Sequence, residues 1–451
     1  MASFEDCIEF CKLESGLFSS CSSSDIILKE KQLETLKALY FNKDCISVLP
    51  TGYGKSLIFQ ILPWFFQKKL DRKQPMTVLV ASPLNSLMQD QVLSLRKKGI
   101  KACSLNISGT KGITFEEDDD TENDLETDVP FEQLQKGEYQ ILYVHPETFS
   151  NKKFGKLMRS EVYQTDVCCI VIDEVHMISE WGESFRPEFM KLGELTCLFE
   201  TAGHLALTAT ATPKALKELE GILNYRETTF IISNPDRPNI FLEVRRRLPN
   251  IRKMDKLDEL IKPIAEQLYE QQSDFPLTVV YVENLESLGY YFRYLEYELK
   301  ENGYNGENIP ENRLFAQYHS DYPETMKQHI VKDLCQRKPT LRLVLATVAL
   351  GMGLNAPSIK RIIHCRPPTT LEKYMQEIGR AGRNGENAEA IMYFNNSDLS
   401  KARAGLTSSV IQYCKNENNC FRKLLVKYFG FDDVLYAGDR KRCCSFCSLS
   451  N

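Results

Sequence analysis

The sequence has no apolar run of the roughly 18 residues that a bilayer-crossing helix needs, so no membrane span is expected. Its first residues, Met1-Ala2-Ser3-Phe4-Glu5-Asp6, lack the basic start and apolar stretch of a secretory leader, which argues against secretion. It also lacks the surplus of positive charge usual in a protein that holds nucleic acid: 56 Lys and Arg face 61 Asp and Glu, a net charge of −5. That deficit is local. Ile113 to Asp128 holds nine acids and no base, and without those nine the net charge becomes +4. Such a run reads as a solvated, disordered loop, with a regulatory or partner-binding role as the alternative.

What the chain does have is bulk: 451 residues, 43% of them hydrophobic, enough for two or three domains with real cores. Fifteen cysteines without a leader point to reduced thiols in the cytosol or nucleus, some of them metal ligands.

One stretch organises the rest: Leu49-Pro50-Thr51-Gly52-Tyr53-Gly54-Lys55-Ser56. An apolar run, Cys45 to Leu49, precedes it and reads as a buried strand; Leu57 to Leu62 follows and starts like a helix. Strand, glycine-rich turn and helix are the context of a phosphate-binding loop, in which main-chain N–H groups and the helix dipole face the anion. Gly52 and Gly54 permit tight turns, Lys55 would reach the terminal phosphates of ATP, and Ser56 would hold Mg²⁺. Thr51 and Tyr53 complete the loop. The general pattern has a glycine where this chain has Leu49.

Further buried-type strands are expected at Val78 to Ala81, Ile141 to Val144, Cys168 to Ile172 and Leu205 to Leu207, with a helix over Ile26 to Leu39. Continuous apolar strands separated by helices indicate a parallel sheet covered on both faces, with its ligand at the strand C-termini. There the fourth strand meets Asp173-Glu174-Val175-His176 and the fifth Thr208-Ala209-Thr210. Asp173 can hold Mg²⁺ and Glu174 can polarise the attacking water, since phosphoryl transfer needs positioning and charge neutralisation more than covalent chemistry.

Asp236-Arg237-Pro238-Asn239 looks like a linker, and a second α/β pattern follows. Leu277 to Val282 reads as a strand, Leu285 to Leu299 as a helix, and Leu341 to Leu345 and Ile362 to His364 as strands. A further helix is expected to carry Gln376, Arg380 and Arg383. With no second phosphate loop, this domain is expected to complete the first site. Arg380 and Arg383, three residues apart, would share a helical face and offer an arginine finger to the nucleotide. Near the C-terminus Cys420 opens a helix whose apolar stripe is Leu424, Leu425, Tyr428 and Phe429, with Arg422, Lys423 and Lys427 away from it. Cys443, Cys444 and Cys447 follow. Four thiolates suit a structural Zn²⁺; free reduced cysteines, or Cys414 as a substitute ligand, are the alternatives.

The motifs together resemble the RecQ family of superfamily 2 DNA helicases from about Ile26 to Cys447. The most specific piece is the acid pair running into Ile178-Ser179-Glu180-Trp181-Gly182-Glu183-Ser184-Phe185-Arg186-Pro187, similar to that family's aromatic-rich loop. The compact loop Thr51 to Ser56, Ser82-Pro83-Leu84, Ala346 to Gly353 and Gln376 to Arg383 resemble other family elements. The vicinal Cys443-Cys444 pair is similar to Werner-type members in particular. The resemblance implies two tandem RecA-like parallel-sheet domains plus a small helical zinc-binding subdomain. Their expected limits are a tail at 1–24, a first domain at 25–236 with the acidic insert at about 113–128, a second at 237–398 and the zinc subdomain at 399–451.

The resemblance further implies that Lys29 and Gln32 contact the nucleotide, Gln32 at the adenine edge. Trp181 and Phe185 would stack single-stranded bases, at about 1–3 kcal/mol each. Arg186 would add charge, and His176, Thr208 and Thr210 would couple nucleotide to DNA. The implied activity is ATP-driven unwinding of duplex DNA with 3′ to 5′ movement on a single strand, in the nucleus. Glu183-Ser184 in the aromatic loop and Tyr281-Val282-Glu283-Asn284-Leu285 depart from the family pattern. The chain stops four residues after Cys447, so no winged-helix domain is expected there, which leaves a DNA-stimulated translocase or annealing factor as the alternative. An RNA helicase or a non-enzymatic scaffold would fit the aromatic loop and the retained Lys55, Asp173, Glu174 and Arg383 less well.

Overall fold

The continuous apolar runs form strands buried along their whole length: β1 (Cys45–Val48), β2 (Thr77–Ala81), β5 (Ile141–Val144) and β6 (Val167–Ile172). They join β3 (Ala102–Ile107), β4 (Leu125–Thr127), β7 (Gly203–Thr208) and β8 (Thr229–Ile232) in an eight-stranded sheet of order β4-β3-β5-β2-β6-β7-β1-β8. Every pairing is parallel except that of β4 on β3. The computed structural model describes residues 2–18, 27–83, 85–107, 125–178, 192–249, 253–347, 356 and 358–449. It divides into two units, Met1–Ser233 and Asn234–Asn451.

In the first unit, β6, β7 and β1 are neighbours, and their registers bring Ile172, Thr208 and Val48 to one edge of the sheet. The phosphate loop, the acid pair and the threonine segment therefore leave from three adjacent strand C-termini. The helices Glu30–Tyr40 and Leu62–Lys69 pack on this sheet. Residues 1–24, expected as a tail, instead contribute a helix, Phe4–Glu14. Ser3 and Asp6 form a reciprocal cap at its start, and Cys7, Ile8 and Cys11 are buried in the core with Phe65. The signal was an apolar face of small thiols, which hydropathy alone understates. Most of the acidic insert lies outside the described residues.

The second unit holds a six-stranded, all-parallel sheet of order β11-β12-β10-β13-β14-β9. Its strands are β9 (Ile240–Arg246), β10 (Thr278–Tyr281), β11 (Phe315–Tyr318), β12 (Leu343–Ala346), β13 (Arg361–His364) and β14 (Ala388–Phe394). Alternate side chains enter different cores, as the two-residue period of a strand requires. Val279, Val344, Ile362 and Met392 join the cluster that contains Tyr374 and Phe421. Val280, Leu345, Ile363 and Ile391 join the cluster under the helices Lys253–Gln271 and Leu285–Leu299. Residues beyond 398 share the first of these cores. Tyr413 bridges Tyr374 and Phe421 at ring separations of 5.7 and 5.2 Å.

Candidate nucleotide site and cysteine cluster

Leu49 has no glycine's task here. It is fully buried and its N–H still donates to Thr208 O at 2.9 Å, so the chain remains strand-like one residue past β1. The loop opens only at Pro50, whose carbonyl accepts from Tyr53 N at 3.0 Å. Gly54 then turns with φ +91° and caps the helix Lys55–Gln60. A Cβ at Gly54 would lie 2.8 Å from Gln32 Nε2, so both the backbone conformation and the space require glycine. Lys55 Nζ donates to Leu49 O at 3.4 Å, and Lys29 Nζ to Gly52 O at 3.4 Å. Lys29 also sits 4.7 Å over the Tyr53 ring. Thr51 in the loop and Ser56 in the first turn of the Lys55–Gln60 helix are half-buried.

Gln32 faces that loop. Its Oε1 accepts from Lys29 N at 2.8 Å, and its Nε2 donates to Gly54 O at 2.8 Å and Tyr53 O at 3.4 Å. Its amide thus ties the start of one helix to the start of the next, and an adenine edge would compete for the same donors.

Asp173 is buried at the end of β6, its Oδ1 accepting from Glu174 N at 3.0 Å. Burial, and then the charge of Glu174, push its carboxyl up to about 7, while Lys55 pulls it down. Glu174 itself has φ +51°, a conformation that a non-glycine residue adopts at a cost. His176 Nδ1 lies 3.4 Å from Glu174 Oε2 and 3.1 Å from Thr208 Oγ1. Thr208 Oγ1 donates to Thr210 O at 3.1 Å. The acid pair is therefore linked through His176 to the threonine segment. Trp181, Phe185, Arg186 and residues 348–353 lie outside the described residues.

In the second unit the expected helix ends early. It covers Leu371–Ile378, so Gln376 is helical but Arg380 and Arg383 are not, and no shared helical face presents them. Arg380 N donates to Glu377 O and Ala381 N to Ile378 O, tightening the last turn, and Gly382 leaves with φ +57°. The two arginines still converge. Both act on the Tyr281 hydroxyl at the end of β10, which burial pushes up and their charges pull down. Tyr281 stacks on His364 at 5.0 Å, and His364 Nε2 lies 2.8 Å from Glu377 Oε2.

The expected linker, residues 236–239, is an anchor. Arg237 donates to the carbonyls of Gly379, Ala381 and Gly382 at 2.9–3.0 Å, and Asn239 to those of Gly382 and Glu386. Arg422, expected away from the apolar stripe, is 1% exposed. Its guanidinium pairs with Asp236 Oδ1 at 2.6 Å and its two terminal nitrogens donate to main-chain carbonyls, which offsets its burial in the core.

Cys420, Cys443, Cys444 and Cys447 bring four Sγ atoms within 4.8 Å of one another, and Cys414 is not among them. Thiolates about 2.3 Å from one zinc ion sit about 3.8 Å apart in a tetrahedron. Cys420 Sγ lies 3.6 Å from Cys443 Sγ and 3.7 Å from Cys444 Sγ, so the donor set fits. Hydrogen bonds from Cys420 and Cys443 hold the Cys444 thiol far below its usual range, while burial first pushes Cys447 up to about 12.

The family model for DEAD/DEAH box helicases matches residues 29–219, and that for the helicase conserved C-terminal domain matches 252–385. The ATP-dependent DNA helicase Q-like 2 of Arabidopsis thaliana is 30% identical over 94% of this chain and 55% of its own length. The ATP-dependent DNA helicase RecQ of Haemophilus influenzae is 29% identical over 89% of this chain and 59% of its own. The curated homologues of this chain are RecQ-family ATP-dependent DNA helicases. The chain spans about half the length of the first curated relatives it matches. The Mycobacterium smegmatis helicase Lhr, solved with single-stranded DNA and AMP-PNP, shares the fold at a TM-score of 0.57 and 20% identity, over 85% of this chain and 47% of that one. Among the described residues no helix is long and apolar enough to cross a membrane. Where this chain departs from the RecQ pattern at Glu283, the carboxylate enters a buried ion network: Lys256 Nζ at 2.7 Å and Arg247 Nη2 at 3.3 Å, with Arg247 also on Asp398 at 2.8 Å.

Proposed function

We propose that this chain hydrolyses Mg²⁺-ATP to move 3′ to 5′ along single-stranded DNA and separate duplexes. The observation that carries the reading is the meeting of the phosphate loop, the acid pair and the threonine segment at the ends of β1, β6 and β7, close enough for Lys55 to act on Asp173. In this reading Lys55 and the loop N–H groups hold the phosphates. Ser56 and Asp173 would hold Mg²⁺, which neutralises charge on the phosphates when bound. Glu174 orients the attacking water, and Gln376, Arg380 and Arg383 act on the transferring phosphoryl group. His176, Thr208 and Thr210 transmit the state of that site towards DNA, where Trp181, Phe185 and Arg186 take single-stranded bases. Zn²⁺ on the four cysteines holds the C-terminal helices. The limits 25–236, 237–398 and 399–451 remain our functional division. The Cys443-Cys444 pair supports placement with Werner-type members, and resemblance to the eukaryotic relatives supports a nuclear location.

Strand displacement on 3′-tailed, 5′-tailed and blunt DNA duplexes, with and without ATP, tests the reading. ATP-dependent release from the 3′-tailed duplex alone is expected. Release from 5′ tails alone reverses the polarity, and ATP turnover without any release leaves a translocase.

A further inference from the structure

The helix that leads into Arg380 and Arg383 ends at Ile378, and the carbonyls that follow it lie outside its hydrogen-bond pattern. Those of Gly379, Ala381 and Gly382 all turn to one guanidinium, that of Arg237, at 2.9, 3.0 and 2.9 Å. Among the described residues no carboxylate lies within 4 Å of Arg237, and burial lowers its pKa unopposed. Among the described residues its charge is matched only by main-chain oxygens just past the negative end of a helix, which makes it a geometric clamp rather than an ion pair. Asn239 Nδ2 adds a second hold, on Gly382 O at 2.9 Å and Glu386 O at 2.7 Å. A Cβ on Gly382 would meet that Nδ2 and Glu386 O, so the turn closes tightly on the clamp.

The clamp is itself held. Arg422 donates to Asp236 Oδ1 at 2.6 Å, to Arg237 O at 2.8 Å, to Ile240 O, and to Cys443 O at 3.2 Å. Asp236 Oδ2 accepts from Leu435 N at 2.7 Å. A continuous polar path therefore runs from the main chain of the cysteine cluster, through Arg422 and Asp236, to Arg237 and the backbone of the arginine turn.

We infer that Arg237 is a positioning residue for ATP hydrolysis: it fixes the backbone from which Arg380 and Arg383 project, and Arg422 fixes Arg237 from the cysteine cluster. The inference rests on the proposed catalytic use of Arg380 and Arg383. The phosphate loop is built from other residues, so the clamp affects turnover and leaves nucleotide binding alone. A misplacement of about 1 Å at a catalytic group costs up to about a hundredfold in rate. Lysine's three donors leave a single nitrogen, so it cannot reproduce the spread of Nη1 on Gly379 O and Nη2 on Ala381 O and Gly382 O.

The test uses the full chain and DNA-stimulated ATPase, with kcat and KM for ATP measured separately for Arg237→Lys, Arg383→Ala and the double variant. Arg237→Lys is expected to lower kcat about tenfold with KM for ATP unchanged. The double variant is expected to lose less than the product of the two single losses, because with Arg383 gone the clamp has only Arg380 left to position. Independent, multiplying losses would overturn the inference, as would a rise in KM with kcat intact. If Arg383→Ala leaves kcat intact, the catalytic reading of the arginines fails, a different outcome from failure of the clamp. Asn239→Ala loosens the same turn from a half-exposed position and serves if Arg237→Lys does not fold; a loss of kcat at constant KM is expected again, and an unchanged kcat counts against the clamp. Arg422→Lys is expected to give a smaller loss of kcat with zinc content unchanged; unchanged kcat would cut the cysteine cluster out of the path.

Discussion

Two glycines in the phosphate loop separate the effect of backbone conformation from that of a single contact. Gly52 has φ +83° and Gly54 φ +91°, so alanine at either incurs the left-handed penalty of about 1–2 kcal/mol. Their surroundings differ. A Cβ at position 52 meets nothing within 4 Å, whereas one at position 54 lies 2.8 Å from Gln32 Nε2. Gly54→Ala must therefore also push Gln32 away and break its 2.8 Å hydrogen bond to the residue 54 carbonyl, worth about 1 kcal/mol. The loop must hold this conformation to accept phosphates, so nucleotide affinity should fall by roughly five- to thirtyfold for Gly52→Ala and by about fivefold more for Gly54→Ala. A fluorescent ATP analogue titrated into each variant measures both. In a Gln32→Ala background the difference between the two alanines should vanish. If Gly54→Ala stays the weaker binder without Gln32, the contact is not the cause and the assignment of Gln32 as the brace of this loop is wrong.

Lys55→Ala should abolish DNA-stimulated ATPase; retained turnover, read by phosphate release, removes the loop from the mechanism. Because burial and Glu174 push Asp173 up to about 7, it binds a proton below that pH, and a divalent ion must displace it. The Mg²⁺ concentration for half-maximal ATPase should therefore fall as pH rises from about 6 to about 8, and a flat profile refutes the shift. Cys447→Ser should lower the zinc content measured by elemental analysis from one per chain and lower the melting temperature; unchanged zinc would take Cys447 out of the set. Trp181→Ala should keep basal ATPase while losing most stimulation by single-stranded DNA, and full stimulation would refute base stacking there.

The parts of the fold visible in the sequence were those written in short local runs. β1 and β5 lie within the continuous apolar runs, β2 and β6 start one residue before theirs, and each ends where the polar motif begins. The Leu285–Leu299 helix coincides with its periodic stretch. Strands β3, β8, β11 and β14 were not visible, because residues such as Ser104, Asn106, Gln317 and Glu389 interrupt their apolar character. The N-terminal helix was hidden by its serine- and cysteine-rich surroundings.

The arginine turn shows why the remainder could not be read locally. A Gln-x-x-Gly-Arg-x-x-Arg run looks helical because every residue but the glycines favours a helix, and only Gly379 at the cap and Gly382 with φ +57° oppose it locally. What holds the turn after the helix is Arg237, more than 140 residues away, whose side chain takes the carbonyls after Ile378. The same applies to Arg422, whose partner Asp236 is 186 residues upstream; a charged residue on a helix is read as exposed unless that partner is known. Local sequence announces the groups that do chemistry, because phosphate and metal binding need them close together. It is silent about the groups that aim them, because a side chain that holds a backbone carbonyl imposes no residue type on the segment it holds.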